Sequence, residues 1–385
     1  MRLLQVAVVL VAAGSGGLAF WKTIVDVADA PKRLDAADLD GDGDVDLFVL
    51  ADGAGEAASL QVLLNEGGQF TPGWSATQST SEQNLPWDLD LADTDDDGDA
   101  DALYLLPYGA PYQRFNDGDA GFDDLEFVPT FAGRAEQEPV DMDDDGDIDL
   151  VYYEEDIVGY FGTLEGSGDG TFDFDLSTET WFGFGAFDLA RRFELGDIDG
   201  DGLRDAAMAS KNGLQFIPTG PPGPGGTLPG FLDDHVKLYA TPCADVALAD
   251  LDGNGLLDIM ATVPSLHSVV VFLTQPAGGF TGPTFFPAGS TPGAITATDM
   301  DLDGRADVVV TNPTTSRVNV LLGTGAGGFG APEDFRVGQR PVDVVAADFD
   351  DDGDPDLAVA CSIAGHVTVL INNAAPAQPV IEGAR

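Results

Sequence analysis

The chain has 385 residues and carries 67 Asp plus Glu against 16 Lys plus Arg, a formal charge of −51. That balance excludes a general nucleic-acid binder, which needs a basic face for phosphate, and it disfavours anionic lipid surfaces. With 44% hydrophobic and 9% aromatic residues the chain can build a core, and its 49 Gly and 24 Pro without a helical apolar period point to an all-β protein rich in turns.

The N-terminus admits two readings. Met1, Arg2, an apolar run over 3–13 and small residues at 17–19 read as a secretory signal with a cleavage site. Alternatively, 6–11 and 13–17 read as a strand and turn of a repeat, so 1–19 is set apart from the body at 20–385 as a signal or an extra strand. Residues 20–25 read as a strand.

From there a unit recurs. A short alternating run (34–37, 295–298, 344–347) precedes an acidic nonapeptide, and another alternating run (47–50, 308–311, 357–360) follows it. A third run (60–64, 318–322, 367–371), a Gly-rich turn ending in Phe (Phe70, Phe172, Phe329) and a fourth extended stretch complete the unit. Pro31, Pro86, Pro292 and Pro341 stand seven residues before the nonapeptide in four copies, where they rigidify entry to the next strand. The nonapeptide, D-x-D-x-[DN]-G-x-x-D, begins at Asp38, Asp93, Asp141, Asp197, Asp250, Asp299 and Asp348, at spacings of 55, 48, 56, 53, 49 and 49. Seven units of four short strands predict a seven-bladed β-propeller of four-stranded antiparallel blades, a single domain. The seventh unit supplies only three strands before a Pro-rich tail, so residues 20–25 are expected to close the ring by pairing with 367–371.

Short carboxylates at alternate loop positions supply the several oxygens, at about 2.3–2.6 Å, that a hard divalent cation needs. The candidate ligands in the first three loops are Asp38, Asp40, Asp42, Asp44 and Asp46; Asp93, Asp95, Asp97, Asp99 and Asp101; and Asp141, Asp143, Asp145, Asp147 and Asp149. The fourth and fifth offer Asp197, Asp199, Asp201, Leu203 and Asp205, then Asp250, Asp252, Asn254, Leu256 and Asp258. The last two offer Asp299, Asp301, Asp303, Arg305 and Asp307, then Asp348, Asp350, Asp352, Asp354 and Asp356. The seventh position varies between Asp, Leu and Arg, as expected where only a backbone carbonyl is used. The invariant sixth-position Gly permits the positive φ of a tight turn. No Cys or His joins the loops, which selects calcium (Ca2+, up to seven structural ions) over zinc, and the crowding of carboxylates favours it over magnesium. Solvated acidic turns would not keep one spacing seven times. An EF-hand would need a bidentate Glu at position 12 and flanking helices, and a dockerin repeats its loop once between helices.

The sequence resembles the FG-GAP/VCBS repeat family, whose propellers include the integrin α-subunit headpiece. The seven nonapeptides, the run 356–360, the V-x-V-L-L strand and the G-x-G-x-F turn carry the resemblance over nearly the whole chain. It implies a calcium in each loop between the first and second strands of a blade, on the face opposite the ligand-binding loops. It does not imply one activity, since relatives include adhesion proteins, lectin-like propellers and propeller parts of polysaccharide lyases. Asn254 in the fifth loop, Arg305 in the sixth, weakened outer strands in the third and fourth units and the Pro/Gly segment 218–226 depart from the pattern. The fifth and sixth loops are expected to bind most weakly.

Function is expected to be a secreted, extracellular or periplasmic, calcium-stabilised binding or adhesion scaffold for a protein or glycan, acting as a monomer without a membrane span and without catalysis. The alternative is a carbohydrate-active propeller, lectin-like or a lyase. Lyase chemistry needs a base near a charge-neutralising group, whereas here 34 of the 67 acids lie in the loops and His235, His267 and His366 are scattered. Residues 108–114, with Tyr108, Tyr112 and Arg114, offer stacking faces and a donor for a sugar, and 181–184 with Trp181 reads as core packing. Cys243 and Cys361 read as buried apolar residues, and a disulfide between them stays open.

Overall fold

A computed structural model describes residues 9–12, 18–53, 57–79, 88–106, 111–122, 125–128, 134–155, 159–174, 180–184, 190–222, 228–232 and 235–373. They build seven antiparallel blades. The first strand of each is Ala30–Ala37, Asp88–Ala92, Arg134–Val140, Ala190–Gly196, Val246–Ala249, Ile295–Thr298 and Pro341–Ala347 in turn. These strands pack in succession around a central channel, and the last packs against the first, so the ring is closed.

Second strands differ from the alternating pattern read in the sequence. Asp205–Ser210, Asp258–Val263, Asp307–Asn312 and Asp356–Cys361 are buried at every position. Each lies inside a blade that is covered by a blade on either side, so both of its faces need apolar or hydrogen-bonded groups. Seven apolar clusters result, each straddling one seam between neighbouring blades. Pro31 and Pro341 begin first strands at β-bulges, consistent with a residue that cannot donate to a regular ladder.

The weakened third and fourth units stay complete by different means. In blade three the outer edge is shared by Phe172–Phe174 and Thr180–Phe184, both paired with Gly159–Gly166. In blade four a small hairpin of Thr219–Gly220 with Gly230–Phe231 intervenes before the outer strand Val236–Tyr239. The side chains of 181–184 lie outside the described residues.

Ring closure follows the expected pairing. Ala19–Asp26 is the fourth strand of blade seven, antiparallel to His366–Asn372, with Phe20 opposite Asn372 and Val25 opposite Val367. Val9–Ala12 pairs with its other edge as a fifth strand. Phe20 is fully buried and meets Phe335 of blade six edge-on, with ring centroids 4.6 Å apart. Cys243 and Cys361 are free and buried, so the disulfide is not formed. Phe20→Ala removes the ring that the N-terminal strand places in the seam between blades six and seven. It is expected to cost about 3–5 kcal/mol in urea unfolding, and a cost typical of an exposed site would show that the closing strand is not held by that ring.

Candidate metal centres and the central channel

Each nonapeptide joins the first and second strands of its blade, so all seven lie on one face of the disc. Their internal geometry repeats. The sixth-position Gly donates its N–H to the first-position Asp Oδ2 in every loop, from Gly43 to Asp38 (3.1 Å) through Gly353 to Asp348 (2.9 Å). The seventh-position N–H donates to the fifth-position Oδ1 in every loop, 2.7 Å for Leu256 to Asn254 and 3.2 Å for Asp354 to Asp352. Both the fourth and the sixth positions have positive φ throughout; the fourth is Gly, Asp or Leu (Leu302, φ 55°). The sequence reading identified the sixth-position requirement and missed the fourth, because three residue types meet it.

The ninth-position aspartates are the most buried. Asp46, Asp101, Asp205, Asp258, Asp307 and Asp356 have no accessible surface. One oxygen of each accepts the N–H of the second loop residue, as from Leu251 to Asp258 (2.8 Å). The other accepts an N–H at the end of the third strand, as from Thr274 to Asp258 (2.8 Å). Burial, opposed by these bonds, pushes Asp46, Asp101 and Asp258 up to about 6, Asp149, Asp205 and Asp307 to about 7 and Asp356 to about 8.

The first, third, fifth and ninth positions converge. Carboxylate oxygens of Asp38, Asp40 and Asp42 lie within 4.8 Å of one another, as do those of Asp93, Asp95 and Asp97. So do those of Asp141, Asp143 and Asp149, of Asp197, Asp199 and Asp205, and of Asp250, Asp252 and Asp258. The third-position Oδ1 of Asp95, Asp143, Asp301 and Asp350 is shielded from solvent with no donor, as is Asp93 Oδ1. Shielded carboxylate oxygens without donors, aimed among other carboxylates, are the arrangement a hard cation satisfies. The donor set fits calcium. Asp44 turns its carboxylate outward to Gly67 N–H (2.9 Å), while Leu203 and Leu256 have only a carbonyl to give. In the sixth loop Arg305 Nη1 binds the fifth-position carboxylate of Asp303 at 2.6 Å, in competition with any ion. Asn254 is tied to Thr274 O (3.0 Å) and to Leu256 N–H.

The loops also clamp the seams. Second-position side chains, among them Leu39, Met142, Ile198, Leu251, Met300 and Phe349, enter the apolar cluster shared with the next blade. Their carbonyls accept from that blade: Leu39 O from Ala120 N (2.9 Å), Thr94 O from Gly170 N (3.0 Å), Leu251 O from Gly327 N (3.0 Å). Asn372 Nδ2 reaches Met300 O and Asn65 Nδ2 reaches Phe349 O, both at 2.8 Å.

A second acidic constellation, absent from the sequence reading, lines the channel. Arg192 of blade four stands among Asp88 (3.1 Å), Glu136 (3.5 Å), Asp343 (3.5 Å) and Asp245 (3.9 Å) from four other blades. Burial works against its charge, but those carboxylates hold its pKa well above the ordinary value. Asp35, Asp90, Glu138 and Glu194 stand near this hub, and Arg192 lines the same cavity as Asp35, Asp90 and Glu194. Burial first, then neighbouring acids, pushes Asp35 to about 6, Glu194 to about 7, and Asp90 and Glu138 well up. Several of these acids bridge blades: Asp35 accepts Leu91 N–H (2.8 Å), Asp88 accepts Gln137 N–H (3.0 Å) and Asp343 accepts Leu34 N–H (3.0 Å).

The aromatic segment at 108–114 is packing where it is described. Tyr112 stacks on Tyr104 at 5.5 Å, and Arg114 is buried over Trp74, donating to Phe122 O (2.8 Å). Tyr108 lies outside the described residues.

The FG-GAP-like repeat family model matches residues 38–104, 250–310 and 299–359. No curated protein sequence matches the chain. Among solved structures, BBS1N in complex with ARL6DN is similar at TM-score 0.60 and 12% identity, covering 90% of this chain and 94% of that one. An Agrocybe aegerita lectin that recognises non-reducing terminal N-acetylglucosamine is similar at TM-score 0.55 and 19% identity, covering 90% and 86%. Chaetomium thermophilum Raptor is similar at TM-score 0.55 and 10% identity; this chain, 92% covered, spans 29% of it. At these identities the likeness is one of fold. No helix among the described residues is long and apolar enough to cross a membrane.

Arg192→Met would leave Asp88, Glu136, Asp245 and Asp343 facing one another with only Arg33, 3.9 Å from Asp88, beside them. Urea unfolding is expected to show a loss of about 3–5 kcal/mol near neutral pH. The loss should shrink toward pH 5, where Asp245, pushed up to about 6, and Glu136, also raised, take up protons. A deficit independent of pH would contradict the hub.

Proposed function

We propose that this chain, an FG-GAP repeat propeller, is a calcium-stiffened binding scaffold that works outside the cytoplasm as a monomer and engages a protein or glycan on the face opposite its metal loops. One observation carries the reading: seven loops share one hydrogen-bond cage, and in four of them the third-position carboxylate oxygen is shielded without a donor. Calcium would supply the missing positive charge, held by the first, third, fifth and ninth side chains and the seventh carbonyl. The residues themselves then do the mechanical work, since each loop carries an apolar plug and a carbonyl into the seam with the next blade.

Loops of this type in extracellular modules bind calcium with dissociation constants of about 10⁻⁴–10⁻³ M. The millimolar calcium found outside cells suits such sites. At tenfold excess each site adds roughly 1.4 kcal/mol, so seven independent sites add about 10 kcal/mol. Differential scanning calorimetry in excess chelator, then with calcium restored, is expected to show a large reversible fall in Tm. An unchanged melt would overturn the reading. A glycan array run with and without calcium separates glycan from protein ligands.

The pH dependence follows from the ninth-position carboxyls. Their folded pKa values lie above the ordinary 3.8, so in the metal-free protein their stabilising contribution is present below about pH 4 and is lost as pH rises through 6 to 8. Chelated protein should therefore melt lower at pH 8 than at pH 5. Calcium, which needs the ionised form, should have its largest effect at the upper end. A chelated Tm that climbs with pH would contradict this assignment.

Arg305→Gln frees Asp303 in the sixth loop. Calcium titration of the variant should show that site tightened by up to about fivefold, the effect of releasing one exposed ion pair. Unchanged sixth-site affinity would mean that Arg305 does not compete.

A further inference from the structure

The face away from the metal loops carries the connections between second and third strands and those between blades. A cavity of about 410 Å³ opens there between blades six and seven, lined by Lys22, Arg317, Arg336, His366, Ser316 and Gln339 among others. In a chain with 16 cationic residues against 67 acidic ones, the convergence of three cations and a histidine needs a reason.

Their placement works against local electrostatics. Arg317 and Arg336 are direct cross-strand partners in blade six, and like charges in that position destabilise a sheet. From blade seven, Lys22 Nζ donates to Arg336 O at 3.2 Å and so brings a third positive charge to the same wall. Burial and the adjacent Arg336 hold the Lys22 ammonium below its ordinary pKa, although Cys361 opposes this. Asp334 lies 4.0 Å from Arg317 and is well exposed, and Asp26 stands opposite His366 across the strands, while Arg336 makes no ion pair among the described residues. His366 presents a shielded Nε2 without a hydrogen-bond partner, and a Cβ at Gly338 would overlap that nitrogen. Ser316 and Gln339 add a hydroxyl and an amide.

Arg336 and Lys22, without an ion pair among the described residues, call for an anion, and the guanidinium fork matches a carboxylate. The surrounding hydroxyl, amide and imidazole suit a polyhydroxylated ring better than an apolar side chain, and the volume lies in the range of small-ligand sites. A long polyanion would meet the field of a chain at −51. A single carboxylate meets the local charges, since more distant ones are screened beyond about 8 Å at physiological salt. We propose that the cleft between blades six and seven binds an acidic monosaccharide, a uronate, with its carboxylate between Arg336 and Lys22 and its hydroxyls on Ser316, Gln339 and His366. This deepens the scaffold reading by naming a ligand class, and it does not use the metal loops.

The test is calorimetric titration of the full chain, saturated with calcium, using glucuronate, glucose and inorganic sulfate. Glucuronate should bind at least about tenfold tighter than glucose, and Arg336→Gln and Lys22→Gln should each lose about tenfold or more, the worth of a hydrogen bond to a charged group. Lys237→Gln, exposed on the outer strand of blade four, should bind as the parent does. If Lys22→Gln loosens the closing strand, seen as a lowered melt, the exposed Arg336→Gln keeps the test intact. Equal binding of glucuronate and glucose, no binding at all, or full affinity in Arg336→Gln overturns the proposal. Sulfate that matches glucuronate overturns its sugar part, as does preference for an acidic peptide. Loss of the cleft with calcium-dependent melting preserved would leave the scaffold standing, and the opposite pattern would leave the cleft.

Discussion

A carboxylate buried to zero accessibility and bonded on both oxygens to backbone N–H groups sits at the end of nearly every metal loop. One oxygen fixes the second loop residue and the other fixes the end of the third strand, so a single side chain sets the loop against the blade that carries it. Desolvation makes the ionised form costly, as the raised pKa values show. The two backbone donors offset part of that cost. The rest of the metal face depends on this: with the ninth residue anchored, the first, third and fifth carboxylates have no direction left but inward.

The channel solves a similar problem without a metal. Four carboxylates from four blades, at or beside the first strands, converge on Arg192 of a fifth, and its guanidinium supplies the positive charge there. Here too acids serve as bridges: Asp35, Asp88 and Asp343 accept N–H groups from the neighbouring first strand. First strands of different blades splay too far apart for a continuous ladder, so a side-chain oxygen completes the backbone's hydrogen bonding. Loops and channel thus clamp the same seams from the face and from the axis.

The ring of blades was legible because the nonapeptide is both chemically odd and periodic, and because the missing fourth strand of the last unit could be counted. The closing strand at Ala19–Asp26 follows from that count alone. The channel acids carried a signal too: Asp35, Asp90, Glu138 and Glu194 each stand three residues before a loop, and Asp88, Glu136, Asp245 and Asp343 stand five before. The signal was easy to pass over, since three of the seven units break the first position with Ala247, Thr296 and Val345. Arg192 could not have been recognised as a hub from sequence, because its partners come from four blades spread over the whole chain. The uniform burial of second strands was likewise hidden, since Ala and Thr fill inward and outward positions alike once both faces are covered.

Topology also explains why charge of one sign gathers on one face. Loops between first and second strands all emerge together, and 34 of the 67 acidic residues are in them. The opposite face, built from the other connections, is spared that field by the thickness of the blades and by screening. Cations placed there stand apart from the nonapeptide loops, and Arg317, Arg336 and Lys22 gather in one cleft. A propeller that stiffens itself with carboxylates on one side thereby keeps its other side free to recognise the opposite charge, and the two surfaces can change in sequence without disturbing each other.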